Sequence, residues 1–280
     1  MTIAITGATG QLGRAAIAAL IARGATDVVA LARDPAKAAD LGVAVRAFDY
    51  HVPTSLAPAL AGVDTLVLIS SNDFNDRVGQ HRAVIDAAKA AGVGHVIYTS
   101  ILKGTQNPMI LAQDHIGTEA YLAASGVGHT VLRNGWYTEN YTGNLGAAVA
   151  AGALIGSSGE GRVAPAARAD YAQAIAVVAT TPAEQGKTHE LAGDEVIQLA
   201  DLAAEVSRQV GKPIAYNSLP KETYGGILQS FGLPEAVAMI LADSDDHAAR
   251  GALLDEGRAL SRLIGRPTTP IAVSVAAALA

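Results

Sequence analysis

The chain has 280 residues, half of them hydrophobic and 16% charged, so it carries enough apolar side chains to build a large core. Its net charge of -6 offers no basic field for nucleic acid, and the absence of cysteine excludes disulfides, thiolate metal sites and cysteine catalysis. The apolar C-terminal segment is too short to span a bilayer, and no charged leader precedes the first apolar run. We therefore expect a soluble cytoplasmic protein without nucleic-acid or membrane partners.

The chain opens with an apolar run at residues 3–5, a glycine turn at 7–13 and an apolar helical pattern at 12–23. This order of strand, glycine turn and helix is the setting in which a turn holds a dinucleotide pyrophosphate. The G-x-x-G-x-x-G spacing is typical of short-chain reductases, with the last glycine, Gly13, allowing the helix to pack closely on the strand. We expect cofactor contacts from the turn residues Gly7, Thr9, Gly10, Gln11 and Leu12.

Residues 1–134 alternate between predicted strands and helices. The predicted strands are residues 3–5, 28–31, 43–46, 65–69, 95–99 and 130–132. The later helices of this half are predicted at residues 36–41, 56–60, 78–91 and 114–124. Repeated units of this kind predict an α/β fold with a Rossmann-type, doubly wound parallel sheet. We assign residues 1–134 to an NAD(P)-binding domain.

The regular alternation stops after residue 134. Helices are expected at residues 169–180, 199–210 and 253–263, strands at 188–191 and 214–219, and a flexible loop at 156–161. The start of the first of these helices, around Arg168, is interpreted as structural. No polar linker separates the halves, so residues 135–280 are predicted to form a smaller, integrated substrate-binding lobe with some segments returning to the sheet.

The end of the second predicted strand decides which cofactor is favoured. Asp27 stands at the wrong end of this strand to bind a ribose, whereas Arg33 and Lys37 follow its correct end and suit a 2′-phosphate. Both cations also fit a solvated surface. Asp34 would either bind the ribose or repel the extra phosphate, so NADPH is favoured without excluding NADH.

Polar residues follow the next strands at the same predicted edge of the sheet. Asp49 and Tyr50 close the third strand, Ser70 and Ser71 follow the fourth, and Thr99 ends the fifth. We predict that Asp49 and Tyr50 border the adenine, that the two serines lie beside the adenosine ribose, and that Thr99 also contacts the cofactor. For the aspartate and serines an ordinary turn role is an equal alternative.

None of the eight tyrosines has a lysine four residues later, so the Tyr-x-x-x-Lys pair of ordinary alcohol dehydrogenation is absent. His115 and Glu119 stand where that lysine would be expected, four residues apart on one predicted helix face. His115 is a candidate catalytic donor near neutral pH, with a structural hydrogen bond as the alternative. A metal role is disfavoured, because one histidine lacks a ligand set.

The segment after the sixth strand carries the only tryptophan of a chain that is 4% aromatic. We expect Asn134, Gly135 and Trp136 to lie against the nicotinamide, with core packing of Trp136 as the alternative. Tyr137 and Asn140 are candidate catalytic donors to a developing oxyanion.

These motifs resemble the NmrA-like family of atypical short-chain dehydrogenases/reductases, and within it the branch of bacterial NAD(P)H:quinone oxidoreductases of type 2. The resemblance covers nearly the whole chain and is carried by residues 5–13, 88–93, 98–100, 132–141, 190–194, 241–245 and 263–269. It implies NADPH at the glycine turn, with Arg33 and Lys37 near the 2′-phosphate and residues 134–140 beside the nicotinamide. Asp34 departs from the neutral amide expected at its position.

The resulting expectation is an NADPH-dependent reductase that passes hydride directly to a quinone or a similar flat, electron-poor acceptor, without flavin or metal. A hydroquinone anion is a weaker base than an alkoxide, which agrees with the missing Tyr-x-x-x-Lys pair. An NADP-binding redox sensor without turnover, and an imine or triphenylmethane dye reductase, remain as alternatives. A monomer or a homodimer is expected.

Overall fold

The computed structural model describes all 280 residues, which divide into two compact units. The first unit is made of residues 1–104, 114–134 and 168–189, and the second of residues 105–113, 135–167 and 190–280. One boundary therefore falls between Asn134 and Gly135, and residues 168–189 belong to the same unit as the N-terminal half.

The first unit contains most of a seven-stranded sheet with the order β3-β2-β1-β4-β5-β6-β8. The strands are β1 (Ile3–Ile5), β2 (Val28–Ala32), β3 (Ala44–Ala47), β4 (Thr65–Leu68), β5 (His95–Ile101), β6 (Gly128–Asn134) and β8 (Thr188–Leu191). The pairings from β3 to β6 are all parallel. Every residue of β1, β2, β4 and β5 is buried, as expected for strands covered on both faces of a parallel sheet. The predicted doubly wound, Rossmann-type fold is confirmed.

Helices cover the faces of this sheet. They are α1 (Gln11–Ala22), α2 (Leu56–Ala59), α3 (Arg77–Ala90), α4 (Ile110–Ser125) and α7 (Arg168–Thr180). Short 3₁₀ helices occupy Pro35–Leu41, Pro53–Ser55, Gly104–Gln106 and Pro182–Glu184. The core of one face joins side chains such as Leu31, Leu66, Val84, Ile85 and Tyr98, all nearly inaccessible to solvent. This packing fixes the strand ends where the candidate site lies.

The second unit is mostly helical. Its helices are α5 (Thr138–Thr142), α6 (Leu145–Ala151), α8 (Leu199–Val210), α9 (Lys221–Ser230), α10 (Glu235–Ala248), α11 (Ala259–Ile264) and α12 (Ile271–Leu279). Two strands, β7 (Ala153–Gly156) and β9 (Ala215–Ser218), form a separate parallel pair in which Leu154 faces Tyr216. No helix of the structure has the length and apolar character needed to cross a membrane.

The short helix expected at residues 36–41 is present as the 3₁₀ helix Pro35–Leu41, which ends at Gly42 with φ 69°. Two other local expectations were wrong. The helix expected at residues 253–263 is confined to Ala259–Ile264, because Gly251 has a positive φ of 81° and a turn containing Gly257 precedes the helix. The segment at 156–161 is not a free loop, because Ser157 and Ser158 are buried and hydrogen-bonded.

Candidate active site

The glycine turn between β1 and α1 is shaped so that only glycine fits at two of its positions. Gly7 adopts φ 59°, in the left-handed region that side chains disfavour. A Cβ on Gly13 would lie 2.3 Å from the backbone oxygen of Gly7 and 2.9 Å from the Cα of Ala8. The chain therefore folds back on itself without any side chain between the turn and the helix.

The N-terminus of α1 lies at this turn and carries no side-chain cap. Its N-cap residue is Gly10, whose own N–H donates to the oxygen of Gly7 at 2.9 Å. The first N–H groups of a helix have no partner within it, and they favour an anion. Thr9 and Gln11 are exposed here and Leu12 is buried, while the Gln11 side chain accepts a hydrogen bond from Arg168. This cradle fits the pyrophosphate of a dinucleotide.

The charged residues after β2 differ in how they are paired. Arg33 is exposed and has no hydrogen bond or ion pair. Lys37 is also exposed, but its Nζ lies 3.9 Å from a carboxylate oxygen of Asp34. The other carboxylate oxygen of Asp34 accepts a hydrogen bond from the N–H of Ala36 at 3.1 Å and so caps the 3₁₀ helix. Arg33 is thus the cation left available for a phosphate.

The polar residues after β3 have partners in the protein. Asp49 accepts from the N–H of His51 at 3.0 Å, which is a turn interaction. The hydroxyl of Tyr50 donates to the backbone oxygen of Ile69 at 3.1 Å, and burial raises the pKa of this phenol. Tyr50 therefore ties the end of β3 to the end of β4.

Ser70, Ser71 and Thr99 lie together at the ends of β4 and β5. The N–H of Ser70 donates to Oγ1 of Thr99 at 3.0 Å, and the Ser71 hydroxyl donates to the Gln80 side chain at 2.7 Å. The Ser70 hydroxyl is buried near Tyr98 and makes no hydrogen bond. The structure thus brings these three residues to one edge of the sheet.

Asn134 ends β6 at the same edge and is 4% exposed, yet neither its side-chain oxygen nor its nitrogen has a hydrogen-bond partner. Buried amide groups without partners are rare and costly, so this one calls for a ligand or another physical reason. A donor and an acceptor held side by side suit a polar ligand. The uncapped glycine turn offers N–H groups to a pyrophosphate, and the Asn134 amide offers a donor and an acceptor to a polar group. Both features fit a dinucleotide.

His115 and Glu119 both lie on α4 but do not pair with each other. Nδ1 of His115 lies 2.9 Å from the Tyr98 hydroxyl, and burial lowers the pKa of this imidazole well below 6.5. Glu119 instead binds Arg133 through two oxygens, with the shorter contact at 2.7 Å, and accepts from Ser100 at 2.5 Å. A neutral His115 can take part in a hydrogen bond, but it does not act as an acid near neutral pH.

The segment after Asn134 belongs to the second unit and is anchored by its backbone. The N–H of Gly135 donates to the oxygen of Leu191 at 2.7 Å, and the oxygen of Trp136 accepts from Ala166 at 3.2 Å. The N–H of Thr138 donates to the oxygen of Ala166 at 2.9 Å. These bonds fix the backbone of Trp136 and the start of α5, which begins directly after Tyr137.

The second unit contains a cavity of about 420 Å³, within the range of small-molecule sites. Trp136 and Asn140 line it, whereas Tyr137 does not. Most of the remaining lining is apolar or aromatic, with Tyr141, Tyr224 and Phe231 among the rings. We call this cavity the lobe pocket.

Two polar groups of the lobe pocket were missed by the sequence analysis. Tyr141 has a buried hydroxyl without a hydrogen-bond partner, and Asp245 contributes the only charged side chain of the lining. Desolvation raises the pKa of the Asp245 carboxyl to about 6. Asp245 lies in one of the segments that carried the family resemblance, but a lone aspartate on an unrecognised helix gave no signal of its place in a pocket.

No group of three or more histidine, cysteine, aspartate or glutamate side chains is arranged to hold a metal ion.

Comparison with known proteins gives a consistent result. Quinone oxidoreductase 2 of Escherichia coli (strain K12) is 49% identical over 277 residues, covering 98% of this chain and 97% of that protein. The NAD(P)H azoreductase of Xenophilus azovorans is 28% identical over 84% of this chain and 83% of its own length.

Solved structures agree along the whole chain. The crystal structure of the NADPH-dependent quinone oxidoreductase from Escherichia coli in complex with NADPH matches with a TM-score of 0.96 at 48% identity, covering 100% of both chains. The Citrobacter sp. triphenylmethane reductase in complex with NADP(H) matches with a TM-score of 0.93 at 34% identity, over 99% of this chain and 100% of that one. The model of the NmrA-like family matches residues 1–259. The chain belongs to the NmrA-like family.

Proposed function

We propose that this protein is an NADPH-dependent reductase of quinones and similar flat, electron-poor acceptors. The observation that carries the proposal is the full-length similarity to a quinone oxidoreductase whose structure holds NADPH, in a chain whose own glycine turn fits a dinucleotide. When bound, NADPH supplies a hydride that reduces the quinone directly, without flavin.

Binding of the cofactor rests on the first unit. The backbone N–H groups at Gln11 and Leu12 face the pyrophosphate, and the absence of side chains at Gly7, Gly10 and Gly13 leaves it room. The unpaired guanidinium of Arg33 binds the 2′-phosphate, with Lys37 as a second positive charge. We further propose that the strand-end residues Asp49, Tyr50, Ser70, Ser71 and Thr99 border the adenosine and its ribose.

The nicotinamide end is assigned to Asn134, Gly135 and Trp136. Asn134 has a buried amide with no protein partner, so it can donate to and accept from the carboxamide group of the cofactor. Trp136 is half-buried and supplies a flat face.

The acceptor is assigned to the lobe pocket. Its aromatic and aliphatic walls suit a flat apolar ring, and they exclude water around it. The Asn140 amide is exposed to this pocket and can donate a hydrogen bond to a quinone oxygen as negative charge develops there. Tyr137 remains a candidate donor from the same segment, although it does not line the pocket.

His115 remains a candidate hydrogen-bond donor, and its buried surroundings limit the role that it can play. Its low pKa keeps the imidazole neutral, so it acts through a hydrogen bond, not as an acid. Charge in a hydroquinone anion spreads into the ring, and such an anion needs no strong acid beside it. Positioning of the acceptor then carries most of the rate enhancement.

The test is a spectrophotometric assay of the purified protein. NADPH is mixed with 1,4-naphthoquinone, and the loss of absorbance at 340 nm is followed against a control without protein. We expect saturable, protein-dependent oxidation of NADPH, and unchanged rates after removal of free flavin and after addition of a chelator. Tight binding of NADPH without quinone-dependent oxidation would instead favour the redox sensor.

We also propose that the protein works in the cytoplasm as a monomer or a homodimer. Light scattering after size exclusion, at two protein concentrations and with and without NADPH, measures the mass of the particle. A larger assembly would contradict this part of the proposal.

A further inference from the structure

The charge of the lobe pocket is set by one residue. Among the side chains that line it, Asp245 is the only one that ionises near neutral pH, and no lysine, arginine or histidine faces the cavity. The other polar groups of the lining are neutral: amides, hydroxyls and the indole. An ionised Asp245 therefore has no opposite charge on the pocket wall.

The carboxyl of Asp245 is fixed in place by the end of β7. One oxygen, Oδ2, accepts a hydrogen bond from the backbone N–H of Ser157, and it lies 2.7 Å from where a Cβ on Gly156 would stand. The backbone of Ser158 also hydrogen-bonds to this carboxyl. The backbone thus holds the carboxyl in place at the wall of the lobe pocket.

Three basic side chains, in α9, in α10 and just after α10, are paired with acids other than Asp245. Lys221 binds Asp243 at 2.6 Å, and His247 lies 3.6 Å from the same carboxylate. Arg250 binds Asp246 at 2.6 Å. The positive charges of Lys221 and Arg250 are therefore compensated by Asp243 and Asp246.

The pKa of Asp245 depends on the groups that surround its carboxyl. Desolvation raises the pKa values of the Tyr141, Tyr216 and Tyr224 hydroxyls, and the nearby charge of Asp245 raises them further. Desolvation and the neighbouring charge of Asp246 raise the pKa of Asp245, while the backbone of Ser157 and Ser158 lowers it. The balance leaves the carboxyl titrating near pH 6.

We propose that Asp245 determines the charge selectivity of the lobe pocket, so that it binds neutral flat acceptors and rejects those carrying a fixed negative charge. The inference rests on the proposed function in one respect, namely that the acceptor occupies this pocket. Two negative charges in a cavity that excludes water repel strongly, and no cation on the wall screens them. The site would accept a naphthoquinone and discriminate against its sulfonate.

The matched probes are 1,4-naphthoquinone and 1,4-naphthoquinone-2-sulfonate, which share a ring system and differ by one permanent charge. Trp136 is the only tryptophan of the chain and lines the pocket, so its fluorescence reports binding without turnover. Binding is measured by quenching in the presence of NADP⁺, and kcat/KM is measured separately with NADPH. At pH 7.5 we expect the sulfonate to bind at least about tenfold more weakly than the neutral quinone.

Protonation of Asp245 removes the repulsion, so affinity for the sulfonate should rise as pH falls through about 6, while affinity for the neutral quinone stays flat. Asp245→Asn keeps an oxygen that can accept from Ser157 and removes the charge. In this variant the affinities for the two probes should differ by no more than about twofold. Its pH dependence should also disappear.

Glu235→Gln is the control, because Glu235 is exposed on the same helix and its loss changes the net charge equally. Glu235→Gln should leave the difference in affinity between the two probes unchanged. Equal binding of both probes by the unmodified protein, or a gap that persists in Asp245→Asn, would overturn the inference. Binding with the expected gap but without oxidation of NADPH would refute the proposed function alone.

Discussion

Nε2 of His81 accepts a hydrogen bond from the backbone N–H of Ser71 at 2.9 Å. A ring nitrogen that accepts a hydrogen bond carries no proton, so the proton of the neutral ring lies on Nδ1. Nδ1 is 2.9 Å from the hydroxyl of Thr118, which donates in turn to the backbone oxygen of Asp114 at 2.8 Å. The end of β4 is therefore held to α3 and α4 by an imidazole that must stay neutral.

This arrangement predicts a loss of stability in acid. Burial lowers the pKa of His81 from 6.5 to about 3, so the unfolded chain binds a proton that the folded chain refuses. The stabilisation is complete above pH 6.5 and is lost progressively as pH falls from 6.5 toward 3, at up to ~1.4 kcal/mol per pH unit for this one group. Urea unfolding at pH 8, 7, 6 and 5 measures the slope.

His81→Gln is the diagnostic variant, because glutamine is similar in size and does not titrate. It should lower stability at pH 8 through imperfect hydrogen bonds, yet show a shallower fall between pH 6.5 and 5. His129→Gln is the control, since His129 is only half-buried and its ring bonds a local backbone oxygen. If the stability of His81→Gln fell with pH as steeply as that of the parent protein, His81 would not be the neutral imidazole inferred from its hydrogen bonds.

The second prediction concerns Gly13 in the turn that is proposed to hold the pyrophosphate. The added methyl group of Gly13→Ala would lie 2.3 Å from a backbone oxygen, so the turn must shift. We expect a loss of about 2–3 kcal/mol of stability, since overpacking of a close backbone contact is not relieved by a rotamer change. NADPH affinity should fall by at least about tenfold, measured by calorimetry, because displaced N–H groups no longer face the anion.

Gly146→Ala provides the matched control for this change. Gly146 lies within α6, has an ordinary φ, and a Cβ there would meet nothing within 4 Å. Replacement of a helical glycine by alanine should stabilise the protein by about 0.5–1 kcal/mol and leave cofactor affinity unchanged. A Gly13→Ala protein with normal stability and affinity would remove the turn from the cofactor site.

The sheet of the first unit could be predicted well because its strands are short, continuous apolar runs separated by helical patterns. The second unit could not. Helix α9 exposes half of its residues, and α10 buries polar Asp243 and Ser244 beside its alanines, so neither shows the clean apolar stripe that marks a helix in a sequence. The strand β7 ends in Gly156 and is recognisable only through its pairing with β9.

The candidate site divides in the same way. The turn residues and Arg33 could be proposed from the sequence because the roles proposed for them depend on local spacing in the chain. Asp245 and Tyr141 were missed because their meaning comes from a cavity to which several helices contribute. Conversely, the predicted proximity of His115 and Glu119 on one helix face was correct for the backbone, but each side chain found a stronger partner on the sheet, Tyr98 and Arg133 respectively.

The third prediction separates the two cofactors. Arg33→Ala should weaken NADPH binding by about 10–100-fold and leave NADH nearly unchanged, since only NADPH has a 2′-phosphate to bind the guanidinium. Lys37→Ala should have a smaller effect, because Lys37 already interacts with Asp34. Lys212→Ala, which removes an exposed lysine of the second unit, is the control for net charge. Equal losses for both cofactors in Arg33→Ala would place this residue outside the phosphate site.

The last prediction uses the unpaired hydroxyl of Tyr141. This group is buried and has no protein partner, so Tyr141→Phe removes a desolvated polar group and should leave stability unchanged or raise it by about 1 kcal/mol. In the lobe pocket the same hydroxyl can donate to an oxygen of the acceptor, so KM for 1,4-naphthoquinone should rise by about 3–10-fold. Affinity for NADPH should not change.

Tyr216→Phe should show the opposite pattern, which makes it the matched control. The Tyr216 hydroxyl accepts from the N–H of Ser158 at 3.2 Å and lies 3.0 Å from its Oγ, so its removal leaves buried groups unpaired. We expect a loss of about 1–2 kcal/mol in urea unfolding and little direct effect on KM, because Tyr216 does not line the pocket. If Tyr141→Phe destabilised the protein as Tyr216→Phe does and left KM unchanged, the Tyr141 hydroxyl would serve packing and not the acceptor. If the Tyr141 hydroxyl lowers stability and also lowers KM, its role is to bind the acceptor. Because both variants replace tyrosine by phenylalanine, comparing them separates the effect on stability from the effect on KM.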